Sequence, residues 1–207
     1  MGAGQGVLAP FISRAGGIYT GIDVSEKLLA YARKHHREHG KFVHGNALHL
    51  SGIPQFTPQS FDAVVFLLSI QDMDPLNEAL ESAAWALVPG GRVVILMTHP
   101  CFRIPRQSGW GWDEGRKLQF RRVDRYLTQL AIPLKPYPGQ TGVSRSFHRP
   151  LQDYVNTLAE NGLYMDRMKE IPTYKVKKTG PRAKAENLAN REIPLFLALR
   201  AVKFLGE

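Results

Sequence analysis

Residues 61–97 read FDAVVFLLSIQDMDPLNEALESAAWALVPGGRVVILM. Phe61 to Leu68 is a strongly apolar run, apolar on both faces as a central parallel strand is. Pro75 then opens a helix that carries Leu76, Ala79, Leu80, Ala83 and Leu87 at the spacing of one helical face. Pro89-Gly90-Gly91 is a turn, and Arg92 to Met97 is the next strand. Strand, helix and strand in this succession make a parallel α/β unit. The spacing therefore predicts an α/β fold, a doubly wound and mostly parallel sheet.

The same alternation extends towards the N-terminus. Gly17-Ile18-Tyr19-Thr20-Gly21-Ile22-Asp23 reads as a buried strand that ends in an acid. Ser25 caps a helix from Glu26 to about His36, with Leu28, Leu29 and Ala32 on one face. Lys41 to Val43 is a short strand. Towards the C-terminus the pattern breaks. Thr98 to Phe147 is rich in Pro, Gly, Trp and Arg, with one short helix expected near Val123 to Leu130. A stretch this long inside a compact domain reads as an insertion or lid, at about 99–149 of a single domain 1–207. Order resumes with a helix from about Pro150 to Asn161, closed by Gly162. A strand follows at Tyr164 to Glu170. Lys175 to Asn190 reads as an exposed basic connection. Without a crossover helix before it, the last strand, Ile193 to Val202, is expected to run antiparallel.

Composition narrows the class. The chain has 207 residues, 43% of them hydrophobic, which suits one globular domain with a sizeable core. No apolar run approaches the roughly 18 residues of a membrane helix. The glycine-rich, polar start does not read as a signal peptide. Cys101 is the one cysteine, so no internal disulfide forms and a cytoplasmic protein is expected. The formal net charge is +9, and residues 99–149 hold ten Lys/Arg against three Asp/Glu. Nucleic acid, an acidic substrate or a merely solvated basic surface each accounts for that charge.

In open α/β sheets, ligands bind beyond the carboxyl ends of the strands. Three features fall there. Gly2-Ala3-Gly4-Gln5-Gly6 lets backbone approach a ligand and presents N–H groups ahead of the Val7 to Phe11 segment, which could open a helix. Its spacing is G-x-G-x-G, not the dinucleotide G-x-G-x-x-G. Asp23 can accept from both hydroxyls of a ribose, or serve only the turn and helix start. Asn46, in Gly45-Asn46-Ala47, could bond the edge of adenine or be a turn asparagine.

In this order the motifs resemble the class I, Rossmann-like S-adenosylmethionine methyltransferases, particularly the small-molecule type, over nearly the whole chain. Gly2-Ala3-Gly4-Gln5-Gly6 is similar to the family's first motif, which holds the methionine part of the cofactor, S-adenosylmethionine, whose product is S-adenosylhomocysteine. Gly21-Ile22-Asp23-Val24-Ser25 is similar to the second, with Asp23 on the ribose. Gly45-Asn46-Ala47 occupies the third, where the family usually has Asp-Ala, so Asn46 is a departure. Phe61-Asp62-Ala63-Val64-Val65 through Leu68-Ser69-Ile70-Gln71 resembles the fourth strand and the loop lining the sulfonium. Leu87-Val88-Pro89-Gly90-Gly91-Arg92 is similar to the L-x-P-G-G-x turn before the fifth strand. The resemblance implies a seven-stranded sheet with the last strand antiparallel. It implies cofactor contacts from Gly2, Ala3, Gly4, Gly6, Asp23, Val24, Asn46, Ala47, Leu68 and Ser69.

One departure is larger. In the family a whole first strand, ending in an acid, precedes the glycine loop. Here Met1 stands directly before Gly2, and that first strand is missing. Truncation or a misplaced start would explain the loss, as would a real loss in an impaired protein. A sheet without that strand would leave neighbours' backbone groups unpaired and edges through which copies could associate as a homo-oligomer.

Methyl transfer from a sulfonium needs the acceptor aligned and sometimes a base for its proton. His99, in His99-Pro100-Cys101-Phe102, follows the fifth strand of the family's order. His148, in His148-Arg149-Pro150, leads into a helix. Similar pieces occur in a subgroup of small-molecule methyltransferases, and histidine suits proton transfer near neutral pH. Each is a candidate catalytic base, against roles at a strand end or a helix start. Cys101 reads as a small buried hydrophobe. Trp110, Trp112, Phe120, Tyr126 and Tyr137 could line a pocket for a planar acceptor or form a small core of their own. Trp110, Trp112, Tyr126 and Arg103 are the expected substrate-binding residues. Arg103, Arg106, Arg116, Arg121, Arg122 and Arg125 could bind a carboxylate or phosphate. No metal-ligand spacing is present, so no metal site and no membrane partner are expected. The charge keeps a second reading open, a methyltransferase of RNA such as tRNA. The missing strand keeps a third, a degenerate module that binds cofactor poorly.

Overall fold

The computed structural model describes residues 1–134 and 144–204. The elements are α1 (Ala9–Arg14), β1 (Thr20–Asp23), α2 (Glu26–His36), β2 (Lys41–His44), β3 (Phe61–Leu67), α3 (Leu76–Ala86) and β4 (Leu87–Thr98). They continue with β5 (Ser108–Asp113), β6 (Leu118–Val123), β7 (Leu130–Pro133), β8 (Arg145–His148), α4 (Leu151–Glu160), β9 (Leu163–Ile171), α5 (Ala183–Glu192) and β10 (Phe196–Lys203). The strand–helix–strand unit read from residues 61–97 is β3–α3–β4, and β3 and β4 pair in parallel. Ser25 caps α2 by accepting from the Leu28 N–H at 3.4 Å, as its side chain and position require.

The main sheet has the order β3-β4-β10-β9. β10 runs antiparallel to both β4 and β9, as expected for the last strand. β1 and β2 form a separate parallel pair. Among the described residues no strand lies between β1 and β3. The chain's first residues span that gap instead. The Met1 amino group donates to the Val65 carbonyl at 2.8 Å, and the Ala3 N–H donates to the Ile22 carbonyl at 2.8 Å. The core forms two clusters, the larger of which also takes in Ile22 of β1. The larger cluster gathers Phe66, Leu80, Leu87, Ile95, Leu158, Leu197 and Leu199. The smaller one joins Ala9, Leu29, Ala32 and Phe42 beneath β1 and β2.

Several local readings are corrected. β3 is not buried on both faces along its whole length: Asp62 and Ala63, which point to opposite faces, are both exposed. The Pro89-Gly90-Gly91 turn lies within the span of β4. Phe61 pairs with Leu87 and Ala63 with Arg92, so the residues between loop out, with Gly90 at φ +75°. No helix forms at residues 123–130. Val123 closes the antiparallel β5–β6 hairpin opposite Ser108, and the chain then bends into β7, which pairs antiparallel with β8. The basic connection at 175–190 contains α5. Its Ala, Leu, Lys, Glu and Arg residues support a helix, and Asn187 fastens it by accepting the Lys177 N–H at 2.8 Å. No described helix is long and apolar enough to cross a membrane.

Candidate functional site

The glycine loop and the carboxyl end of β1 meet. Asp23 ends β1, and its carboxylate accepts the Gly4 N–H at 2.7 Å through one oxygen and the Ser25 N–H at 2.8 Å through the other. A carboxylate has about four lone-pair directions, so two remain for hydroxyls of a ligand. Gly2, Gly4 and Gly6 have φ of +65°, +53° and +75°, a region that L side chains rarely adopt. Their reasons differ. A Cβ on Gly2 would lie 2.5 Å from Ser69 Cβ, and one on Gly6 would lie 2.6 Å from the Phe42 ring. A Cβ on Gly4 would meet nothing within 4 Å. Gly4 thus presents bare backbone to open space, as a loop that cradles a ligand does.

The opposite wall comes from the end of β3. The Ser69 hydroxyl donates to the Met1 carbonyl at 2.8 Å and is buried. Leu68 has φ +54° and is 39% exposed. Val24, just after Asp23, is 66% exposed. Two apolar side chains held open beside a carboxylate and bare backbone suit a ligand with a flat apolar face and hydroxyl groups, such as a nucleoside. Asn46 is exposed, and its side-chain oxygen accepts the Leu48 N–H at 3.1 Å, capping a 3₁₀ turn. Its amide nitrogen has no partner among the described residues. Ala47 lies in the core and offers no side-chain surface to a ligand.

The two histidines differ. His99 is 2% exposed. Its Nε2 donates to Glu170 Oε1 at 2.9 Å, and its Nδ1 accepts the Cys101 N–H at 3.2 Å. Burial pushes its pKa below the ordinary value, the hydrogen bond and charge of Glu170 oppose this, and the charge of Arg103 adds to it. With both nitrogens engaged and no access to solvent, His99 is not placed to act as a base. It ties the end of β4 to the end of β9. His148 is also buried, and its Nε2 lies 2.7 Å from the Tyr126 carbonyl. A carbonyl can only accept, so Nε2 carries the proton. Nδ1 keeps its lone pair, with no partner among the described residues.

Of the expected acceptor-side residues, Tyr126 is drawn into structure. Its hydroxyl accepts the Leu151 N–H at 2.9 Å at the start of α4, and Cys101 Sγ lies 3.5 Å away. Trp112 is covered by the Arg182 guanidinium, 4.4 Å from the ring centroid. Trp110 is 38% exposed, with Arg103 and Arg121 against its ring. Tyr137 lies outside the described residues. Sequence reasoning missed two contributors. Arg149 is buried and donates to the Met73 carbonyl at 2.8 Å and to Asp74 Oδ1 at 2.7 Å, fixing the loop after β3. Its signal was the basic residue next to His148. Glu170 had no signal, because its partner His99 is 71 positions away.

Residues 1–95 match the model of a methyltransferase domain. Over 97% of this chain and 88% of the other, the fold superposes on a crystal structure of an S-adenosylmethionine-dependent methyltransferase from Mesorhizobium loti, at TM-score 0.74 and 26% identity. The chain is 32% identical over 101 residues to a demethylmenaquinone methyltransferase of Tropheryma whipplei, covering 48% of this chain and 41% of the relative. It is 29% identical over 93 residues to a ubiquinone biosynthesis O-methyltransferase of Idiomarina loihiensis, covering 45% of this chain and 38% of the relative. The chain thus matches about two fifths of the length of these curated relatives. Its fold is that of the Rossmann-like methyltransferases, and its first 95 residues are similar to a methyltransferase domain.

Proposed function

We propose that this chain transfers the methyl group of S-adenosylmethionine to a small-molecule acceptor. The observation that carries the reading is the Gly4–Asp23 hydrogen bond, which joins a bare-backbone loop to a carboxylate at the sheet's carboxyl edge. When bound, S-adenosylmethionine supplies an electrophilic methyl group. Asp23 holds the ribose hydroxyls, and Gly2 to Gly6 leave room for the methionine part. Val24 packs on the adenine, with the Asn46 amide at its edge. Leu68 and Ser69 flank the sulfonium.

The protein's task at the acceptor is alignment and exclusion of water. Where the acceptor loses a proton, from oxygen or nitrogen, His148 Nδ1 is the group with a free lone pair. The Tyr126 carbonyl fixes its tautomer. His99 acts as a positioning residue. The quinone-biosynthesis relatives make a planar ring the first acceptor class to try, with Trp110 as the apolar surface.

Calorimetric titration with S-adenosylhomocysteine tests the reading. Micromolar binding is expected, with Asp23→Ala weakening it at least tenfold, since charge-assisted hydrogen bonds to two hydroxyls are lost (~1.4 kcal/mol or more). A folded sample that binds no S-adenosylhomocysteine would sink it.

A further inference from the structure

The six arginines in residues 103–125 are not equivalent. Arg122 pairs with Asp124 at 3.0 Å. Arg103 and Arg121 pair with no carboxylate among the described residues. Both guanidiniums lie against the Trp110 ring, with Cζ 5.1 Å and 5.2 Å from its centroid. The placement is held by secondary structure, because Trp110 and Arg121 are cross-strand partners in the β5–β6 hairpin. Arg121 is fixed further. Its Nε donates to the Phe102 carbonyl at 2.6 Å and its Nη2 to Ser108 Oγ at 2.8 Å.

Arg103 is left wanting. Its Nε is shut off from solvent and has no acceptor among the described residues. A buried charged donor without a partner is costly. Two like charges on one ring without a counter-charge are costly as well. Burial pushes both pKa values below the ordinary arginine value, and the charge of Arg121 lowers that of Arg103 further. A merely solvated basic patch would splay these side chains into water. Here the hairpin register and two hydrogen bonds hold Arg121 in place, and Arg103 is packed beside it. The cluster is anchored at the carboxyl end of β4. Arg121 grips the Phe102 carbonyl, and the Phe102 ring packs on His99 with centroids 4.7 Å apart. That is the edge where an open α/β sheet takes its ligands.

We propose that Arg103 and Arg121, stacked on Trp110, seat a carboxylate or phosphate group carried by the methyl acceptor. The assignment to an acceptor rests on the methyltransferase reading above. Such an anion supplies the counter-charge that both guanidiniums lack among the described residues. The planar guanidinium fork matches either anion.

The test uses the full chain and three probes: benzoate, its neutral isostere benzamide, and inorganic phosphate. Ligand-detected NMR follows the first two and phosphorus NMR the third. At least one anion is expected to bind, with benzamide about tenfold weaker than benzoate or worse if the carboxylate is the ligand. Binding of benzoate alone identifies a carboxylate, and binding of phosphate alone a phosphate. Arg103→Gln and Arg121→Gln should each weaken the anion about tenfold or more, as expected for loss of a charge-assisted contact. Arg103→Lys should restore only part of it, since an ammonium lacks the fork. Arg106→Gln, on the exposed turn, should change nothing. The proposal is overturned if neither anion binds, if benzamide binds as well as benzoate while phosphate does not bind, or if both Gln variants bind like the wild type. Should a Gln variant fail to fold, the probe comparison on the wild type decides alone. S-adenosylhomocysteine is titrated in parallel. Its binding without any anion binding removes this seat alone, whereas anion binding without it removes the methyltransferase reading and leaves the seat.

Discussion

His99 and Asp23 both end strands on the ligand edge, yet their neighbours give them opposite roles. Asp23 keeps lone pairs for a ligand after accepting two backbone N–H groups. His99 has spent both nitrogens. Its buried ring predicts a pH dependence of stability. The folded-state pKa lies below the ordinary ~6.5. As pH falls below about 6.5 the unfolded chain takes up the proton first, so its contribution to stability is full above that pH and declines until the folded value is passed. The groups facing the ring are Glu170 on β9, which moderates the effect, and Arg103, which adds to it. Urea unfolding between pH 7 and pH 5 should show a slope of up to about 1.4 kcal/mol per pH unit from this group. In His99→Gln that part of the slope should vanish. An unchanged slope in the variant would show that His99 does not set it. Asp23 was legible in the sequence because its partners, Gly4 and Ser25, lie in the loop and turn that adjoin it. The fate of His99 was not, because Glu170 reaches it only once β9 and β4 are brought into one sheet through β10.

Elements whose stability is mostly local were readable, and those made by distant pairing were not. β3, α3 and β4 follow from apolar spacing, a proline and a glycine turn. The pairs β5–β6 and β7–β8 have no such signal: two glycines interrupt β5, two adjacent arginines stand in β6, β7 ends in proline and β7 and β8 are only four residues long, so pairing across the strands makes them. α5 was hidden by the basic residues around it, although its own ten residues favour a helix. Burial across the sheet also could not be read from alternation alone. Leu199 on β10 and Met168 on β9 are direct cross-strand partners. Leu199 is buried, whereas Met168 is half exposed, because β9 is the sheet's outer strand. Leu199→Ala should therefore cost about 2–5 kcal/mol through lost burial and a cavity. Met168→Ala should stay within roughly 1 kcal/mol, as for a half-exposed site without a packed cavity. Chemical denaturation of the two variants separates these outcomes. Equal losses would mean that the face of β9 is covered in solution.

At the scale of the whole molecule, two sheets meet across a join. One is the β1–β2 pair, with the smaller core, and the other is the four-stranded sheet, while the larger core spans both, since Ile22 of β1 is part of it and Val43 of β2 packs against it. Met1 and Ala3 make backbone bonds to opposite sides of that join, through Val65 and Ile22. The proposed cofactor residues fall on both sides as well: Asp23 and Asn46 follow β1 and β2, while Leu68 and Ser69 follow β3. A ligand touching all of them binds only when the two sheets are in register, so its binding energy adds to their association. At 100 times its dissociation constant a ligand specific for the folded state stabilises it by about 2.7 kcal/mol. For a chain of this size each kcal/mol raises the melting temperature by about 2–4 °C. Saturating S-adenosylhomocysteine should therefore raise it by roughly 5–11 °C. Because the ligand bridges the join, hydrogen exchange should slow in β1 and β2 as well as at the end of β3. Protection confined to one sheet would mean that the ligand does not span the join, and the cofactor residues would then have to be reassigned to that sheet alone.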